Sequence, residues 1–147
     1  MGARREGREA AVQYLYHWDL NGAATAESIE AFWQLRPATK RVREFGSRLV
    51  EGVLAQIEPV NELICKAASN YQLHRIAAVD RNILRVAIYE MLYCPEVPPV
   101  VSINEAIEIA KRFGSEESGR FVNGVLDRIR ADLPRPPRVA KPEGENR

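Results

Sequence analysis

A chain of 147 residues, 46% hydrophobic and 28% charged, is long enough for one domain with a substantial core and too short for a catalytic domain joined to a recognition domain. Its net charge of +1 does not advertise a polyanion partner, so any nucleic-acid site has to come from local clustering of charge. Two isolated cysteines, Cys65 and Cys94, are too few for a disulfide framework or a zinc site, and no run approaches the roughly 20 apolar residues of a membrane span. Both cysteines read as core filling, and the chain reads as cytoplasmic with no membrane association.

The periodicity is helical nearly throughout and predicts an all-α fold. Gly2 to Leu20 reads as a first helix whose buried stripe is Ala11, Tyr14, Leu15 and Trp18. Arg5 and Tyr16 point the other way: eleven residues apart, they differ by about 20° around the axis and stand about 16 Å apart along it. Arg8 reads as the flank of the same face, and Arg4 completes a basic cluster diluted by Glu6 and Glu9. Guanidinium groups can hold phosphates while a phenol ring receives an unstacked base, the combination that single-stranded nucleic acid demands. Coverage of Tyr16 by a neighbouring helix is the competing reading.

Asn21 and Gly22 stop this helix, and Thr25 caps a short second one carrying Ile29, Phe32 and Trp33. Thr39 opens a third, with Val42, Phe45, Leu49, Val53 and Ile57 on one stripe, and Pro59 falls in the first turn of a fourth with Val60, Leu63, Ile64 and Ala67. The fourth fades at Ser69 and Asn70. From about Ile76 the apolar residues wrap so much of the circumference that the fifth helix is expected to be the central one. Ser102 to Glu105 reads as a capping box that opens the sixth helix, Gly114 as its left-handed stop, and Ser115 with Glu116 and Glu117 as the start of the seventh. Residues 1–133 thus form one helical domain, and the Pro-rich, charged stretch 134–147 reads as a flexible tail.

Catalytic chemistry is missing from this pattern. His17 and His74 stand in no arrangement with a nucleophile, and there is no phosphate-binding Gly-rich loop, no HExxH and no paired cysteine set, so no cofactor is expected. Glu90, Glu105 and Glu108 sit at spacings that suit solvated faces and ion pairs.

Three stretches, RREGREAAVQYLYHWDL, VDRNILRVAIYEM and SINEAIEIAKRFGSEESGRFVNGVLD, resemble the NusB family of transcription antitermination and ribosomal-RNA synthesis factors. The resemblance spans nearly the whole folded part. It implies about seven helices in two packed helical subdomains, and a non-catalytic factor that binds boxA-type single-stranded RNA together with NusE, a small-subunit ribosomal protein. The pair then joins the RNA polymerase antitermination complex. Residue by residue, the family's RNA-contacting positions fall on Arg4, Arg5, Arg8 and Tyr16, and a second segment on Glu117, Arg120 and Phe121. By periodicity alone Phe121 is a core flank or a base platform. The family's acidic contact to its protein partner falls on Asp80, where relatives carry Glu. Glu6 interrupts the basic run, and Gly7 and Gly119 read as points of flexibility.

Rival readings are an interaction adaptor built around Asp80, with self-association into a homodimer left open, and an accessory domain of the kind that precedes the catalytic part of certain ribosomal-RNA methyltransferases. No methyl-donor loop follows here.

Overall fold

Local chemistry sets several of the helix ends. In the computed structural model, which describes residues 2–22, 25–68 and 72–133, seven α-helices follow one another: α1 (Ala3–Asn21), α2 (Ala26–Leu35), α3 (Lys40–Ala55), α4 (Ile57–Ala67), α5 (Ala78–Tyr93), α6 (Pro99–Phe113) and α7 (Glu116–Ala131). A 3₁₀ turn at Leu73–Arg75 leads into α5, and no strand occurs among the described residues. Gly22 ends α1 at φ 84°, a left-handed conformation in which its amide returns to the Trp18 carbonyl. Thr25 caps α2 by accepting from the Ser28 amide while the Ser28 hydroxyl accepts from the Thr25 amide; Thr39 caps α3 through Val42, and Ser115 caps α7 through Ser118. The Pro-rich stretch from Pro134 and the fading point at Ser69 and Asn70 lie outside the described residues.

Two expected signals act differently. The sixth helix does not begin at Ser102 but three residues earlier, because Pro99 takes its first position, where a missing N–H costs nothing and φ is already helical. Ser102 consequently falls on the inner face, 1% exposed with no hydrogen-bond partner for its hydroxyl, and Glu105 is free to reach another helix. Gly114 does end α6, but at φ −117° and ψ −108° rather than in the left-handed region.

Helix α5 is the centre, as its all-round apolar pattern demands: Ile83, Leu84, Ile88 and Met91 are all but fully buried. Helices α1 to α3 form one group and α4 to α7 the other, and a single apolar core runs through both. A small satellite cluster of Ala10, Trp33 and Val42 closes the first group. There Phe32 meets Tyr14 and Trp33 edge-on, and the Trp33 indole N–H donates to Ser47. Cys94 fills the core as expected, its thiol pushed up to about 11 by burial, whereas Cys65 is exposed on α4.

Gly7 is not a point of flexibility. It is where α1 and α3 cross, and a Cβ there would stand 2.9 Å from the Phe45 ring, 3.2 Å from the Gly46 amide and 3.3 Å from the Val42 carbonyl. Gly119 is likewise buried, with Lys111 and Ile107 of α6 facing its missing side chain. Gly7→Ala is therefore expected to destabilise the fold by about 1–3 kcal/mol despite alanine's better helix propensity, because backbone has to move. Chemical denaturation measures this, and an unchanged or higher midpoint would contradict the close crossing.

Candidate nucleic-acid interface

Two buried ion clusters fix how α1 is rotated about its axis. Near its start, Arg8 places its Nε 2.9 Å and 3.0 Å from the two carboxylate oxygens of Glu90 on α5, and both side chains are nearly inaccessible, at 5% and 1%. Near its end, one Asp19 oxygen accepts from Arg81 at 2.7 Å, Arg85 at 2.9 Å and Asn82 at 3.0 Å, all on α5. Burial works to raise the Asp19 carboxyl, but the bond from Arg81 and the charge of Arg85 hold it below its usual range. Arg85 also packs over the Trp18 ring and donates to Asn61 on α4.

The expectation that Arg8 flanks the wet face is thus corrected. Its guanidinium is committed to Glu90, with Glu105 at 3.7 Å, because a charged side chain at that angle on α1 meets the interior and is retained there only by a matching carboxylate. Glu90, expected on a solvated face or in an ion pair, is wholly buried and paired.

One exposed edge of α1 starts beside α6. Arg5 donates a fork to both oxygens of Glu105, at 2.7 and 2.6 Å, and keeps 37% of its side chain exposed; that fork holds the Glu105 carboxyl below its usual range. One turn on, Glu9 receives Arg112 from α6 at 2.8 Å, with 56% of the arginine side chain in solvent. Two turns further along the same edge is Tyr16, 39% exposed, while its neighbours Leu15 and Tyr14 are at 0% and 2%. Arg112 joins this edge only through the fold. Position 112 carried no signal beyond a basic last turn of a helix. Arg4 turns away from the edge toward α3, its guanidinium 5.1 Å above the Phe45 ring.

The second segment and the acidic position meet in one groove. Asp80, Glu117 and Phe121 line a cavity of about 380 Å³ with Arg75, Ile76, Ser115 and Ser118, at the junction of the turn before α5 and the start of α7. Phe121 is both things its periodicity allowed, half-buried against the core and open to the groove. Asp80 is 8% exposed, and its Oδ1 has no hydrogen-bond partner. Burial pushes its carboxyl above the usual range, with Ser118 opposing. Arg120 is exposed on the following turn, with no ion-pair partner among the described residues. Such a groove can accept a cation or a polar N–H into its carboxylate and an apolar or aromatic face against Phe121.

Comparison with known proteins gives one consistent result. The sequence model of the NusB family matches residues 5–131. The transcription antitermination protein NusB of Sorangium cellulosum is 47% identical over 135 residues, covering 92% of this chain and 96% of that protein; the protein of the same name from Myxococcus xanthus is 44% identical, covering 92% and 100%. Among solved structures, that of the antitermination factors NusB and NusE in complex with double-stranded RNA superposes with a TM-score of 0.82 at 28% identity, covering 90% of this chain and 99% of the other. A T. maritima NusB gives 0.79 at 35% identity, covering 88% and 91%.

Two substitutions separate framework from surface. Arg8→Ala strands the Glu90 carboxylate in the core and is expected to cost about 3–5 kcal/mol of stability, read by denaturant unfolding; a loss below about 1 kcal/mol, within the range of an exposed pair, would show that Arg8 is not locked. For Asp80 the folded carboxyl titrates above the unfolded one, so its ionisation penalises the fold at neutral pH, and the penalty is lifted as pH falls through the interval between the two values. Asp80→Asn should melt higher than the parent at pH 7, and the difference should shrink as pH falls toward 4. A parent that melts higher at neutral pH would reverse this assignment.

Proposed function

The chain belongs to the NusB family, and on that premise we propose that it is a non-catalytic transcription antitermination factor that binds boxA-type single-stranded RNA together with NusE. The pair then acts within the RNA polymerase antitermination complex on ribosomal-RNA operons. The observation that carries the reading is Tyr16, a large ring left 39% in solvent directly after Tyr14 and Leu15, which are sealed in the core. Arg5 and Arg112 stand along the same edge to attract phosphates, and the ring offers a stacking face to an unpaired base. Arg4 extends the cationic reach at the helix start. On the groove side, Phe121 with Glu117 and Arg120 serves a further nucleotide.

Asp80 is read as the contact to NusE. A buried carboxylate oxygen without a partner gains most from a charge-assisted bond to an arginine or lysine of another protein. The same oxygen also favours the second reading, an adaptor whose principal surface is this groove. Capture of purified NusE without RNA, by the parent and by Asp80→Lys, separates the two: an adaptor would hold NusE equally well when Tyr16 is removed and RNA is absent.

The primary test measures binding of a boxA RNA and a scrambled control, each with and without NusE. Tyr16→Ala should weaken boxA binding by about 1–3 kcal/mol with an unchanged helical spectrum. If about three phosphates are neutralised, log affinity should fall against log salt with a slope near −2. Equal affinity for the scrambled RNA, or a flat salt response, would overturn the reading.

A further inference from the structure

Arg4, at the end of the boxA edge, also borders a second cationic surface on α3. A depression of about 300 Å³ lies between the start of α1 and the outer face of α3, lined by Ala3, Arg4, Arg41, Glu44, Phe45 and Arg48. Arg41, Phe45 and Arg48 share one face of α3 at successive turns. The Phe45 ring carries two guanidinium groups, that of Arg4 at 5.1 Å and that of Arg8 at 5.4 Å from its centroid. Arg4 thereby has a cation–π contact with the ring, which favours one position for its guanidinium.

The charges around this depression do not cancel. Arg48 is matched by Glu96 at 2.5 Å, and Glu44 faces Lys40 at 3.9 Å. Arg4 and Arg41 make no salt bridge among the described residues, Arg4 feeling only the longer-range attraction of Glu96, although most arginines that touch another helix in this fold are matched by a carboxylate. Two guanidinium groups without a salt bridge facing one open concavity leave it with room for an anion.

We propose that this depression, with Arg4 and Arg41 as its donors, holds backbone phosphates of RNA nucleotides that flank the element read at Tyr16. The proposal rests on the RNA-binding reading and extends it. Continuity favours nucleic acid: Arg4 and Arg5 are consecutive in the first turn of α1, about 100° apart, so a strand leaving the Arg5 edge passes over the helix start directly into the depression. An acidic protein would need an apolar anchor pocket beside the charges, and apart from the rim of Phe45 the lining offers none. Phosphates need no such pocket, and they bind guanidinium forks in two-point fashion.

The test compares a short boxA RNA with the same RNA extended at both ends, NusE being present throughout, for the full chain and for Arg41→Ala and Arg41→Glu. Arg41 is exposed and unpaired, so neither variant disturbs the core. The parent should bind the extended RNA several-fold more tightly than the short one. Arg41→Glu should abolish that advantage and leave the short RNA unaffected, and Arg41→Ala should reduce the salt slope for the extended RNA by about 0.7, one phosphate's share on a single strand. An extended RNA bound no better than the short one, or an advantage that survives Arg41→Glu, overturns this proposal while leaving the boxA reading intact. Loss of NusE capture by Arg41→Glu in the absence of RNA also overturns it and makes the depression a protein-binding surface. A parent that binds neither RNA defeats both readings together.

Discussion

Everything on the candidate surface depends on the rotation of α1, and buried charge pairs fix that rotation together with the apolar stripe. A helix with Ala10, Ala11, Val12, Tyr14 and Leu15 buried presents a broad apolar arc, which by itself constrains the rotation less tightly than a narrow stripe would. The pairing of Arg8 with Glu90 near one end and of Asp19 with Arg81 and Arg85 near the other removes that freedom. Turning α1 by one residue, about 100°, would strand four or more charged groups in the core and would carry Tyr16 away from the edge beside α6. The exposed phenol is thus a consequence of carboxylates and guanidinium groups that no ligand needs to touch.

Buried pairs of this kind are poor sources of net stability, since well-packed apolar residues of similar volume often do as well or better. Their effect is to exclude alternatives. In this fold the apolar core supplies the driving force, with α5 at its centre, and the ion pairs penalise any packing that would leave their charges unmatched. Gly7 and Gly46 add a steric version of the same constraint, because their missing side chains permit only one depth and angle of approach between α1 and α3. A small all-helical protein with these fixed points presents its surface side chains from rigid elements, which suits recognition better than presentation from loops.

Features that depend on three or four consecutive residues were legible in the sequence. Thr25, Thr39 and Ser115 cap their helices and Gly22 ends α1, since each acts through a bond spanning a single turn. The wet position of Tyr16 followed from helical phase alone. Arg8 was misplaced because phase gives an angle and not a partner, and only the fold brings Glu90 across from a position 82 residues away. Arg112 was missed for the same reason, being joined to α1 through Glu9 at a separation of 103. Ser102 looked like a cap because the capping pattern was complete, but the proline just upstream had already begun the helix. Asp80 and Phe121 were read as belonging to different surfaces, and their meeting in one groove is a property of the α5 and α7 packing that no local spacing encodes.

The way the arginines are shared out bears on how strongly such a surface can act alone. Arg5 already gives its fork to Glu105, and Arg112 already serves Glu9, so a phosphate arriving at that edge has to share donors with carboxylates that stay in place. Each contact then yields less than a free guanidinium would, because part of the attraction is offset by repulsion from the resident anion. A net charge of +1 offers little long-range steering to compensate. Modest intrinsic attraction from an edge of this kind is what makes a second protein useful: linking two weak contacts on one RNA raises the effective concentration of each without any new bond. In the function proposed above, the groove at Asp80, with its unmatched oxygen, takes that second protein while the edge of α1 takes the strand.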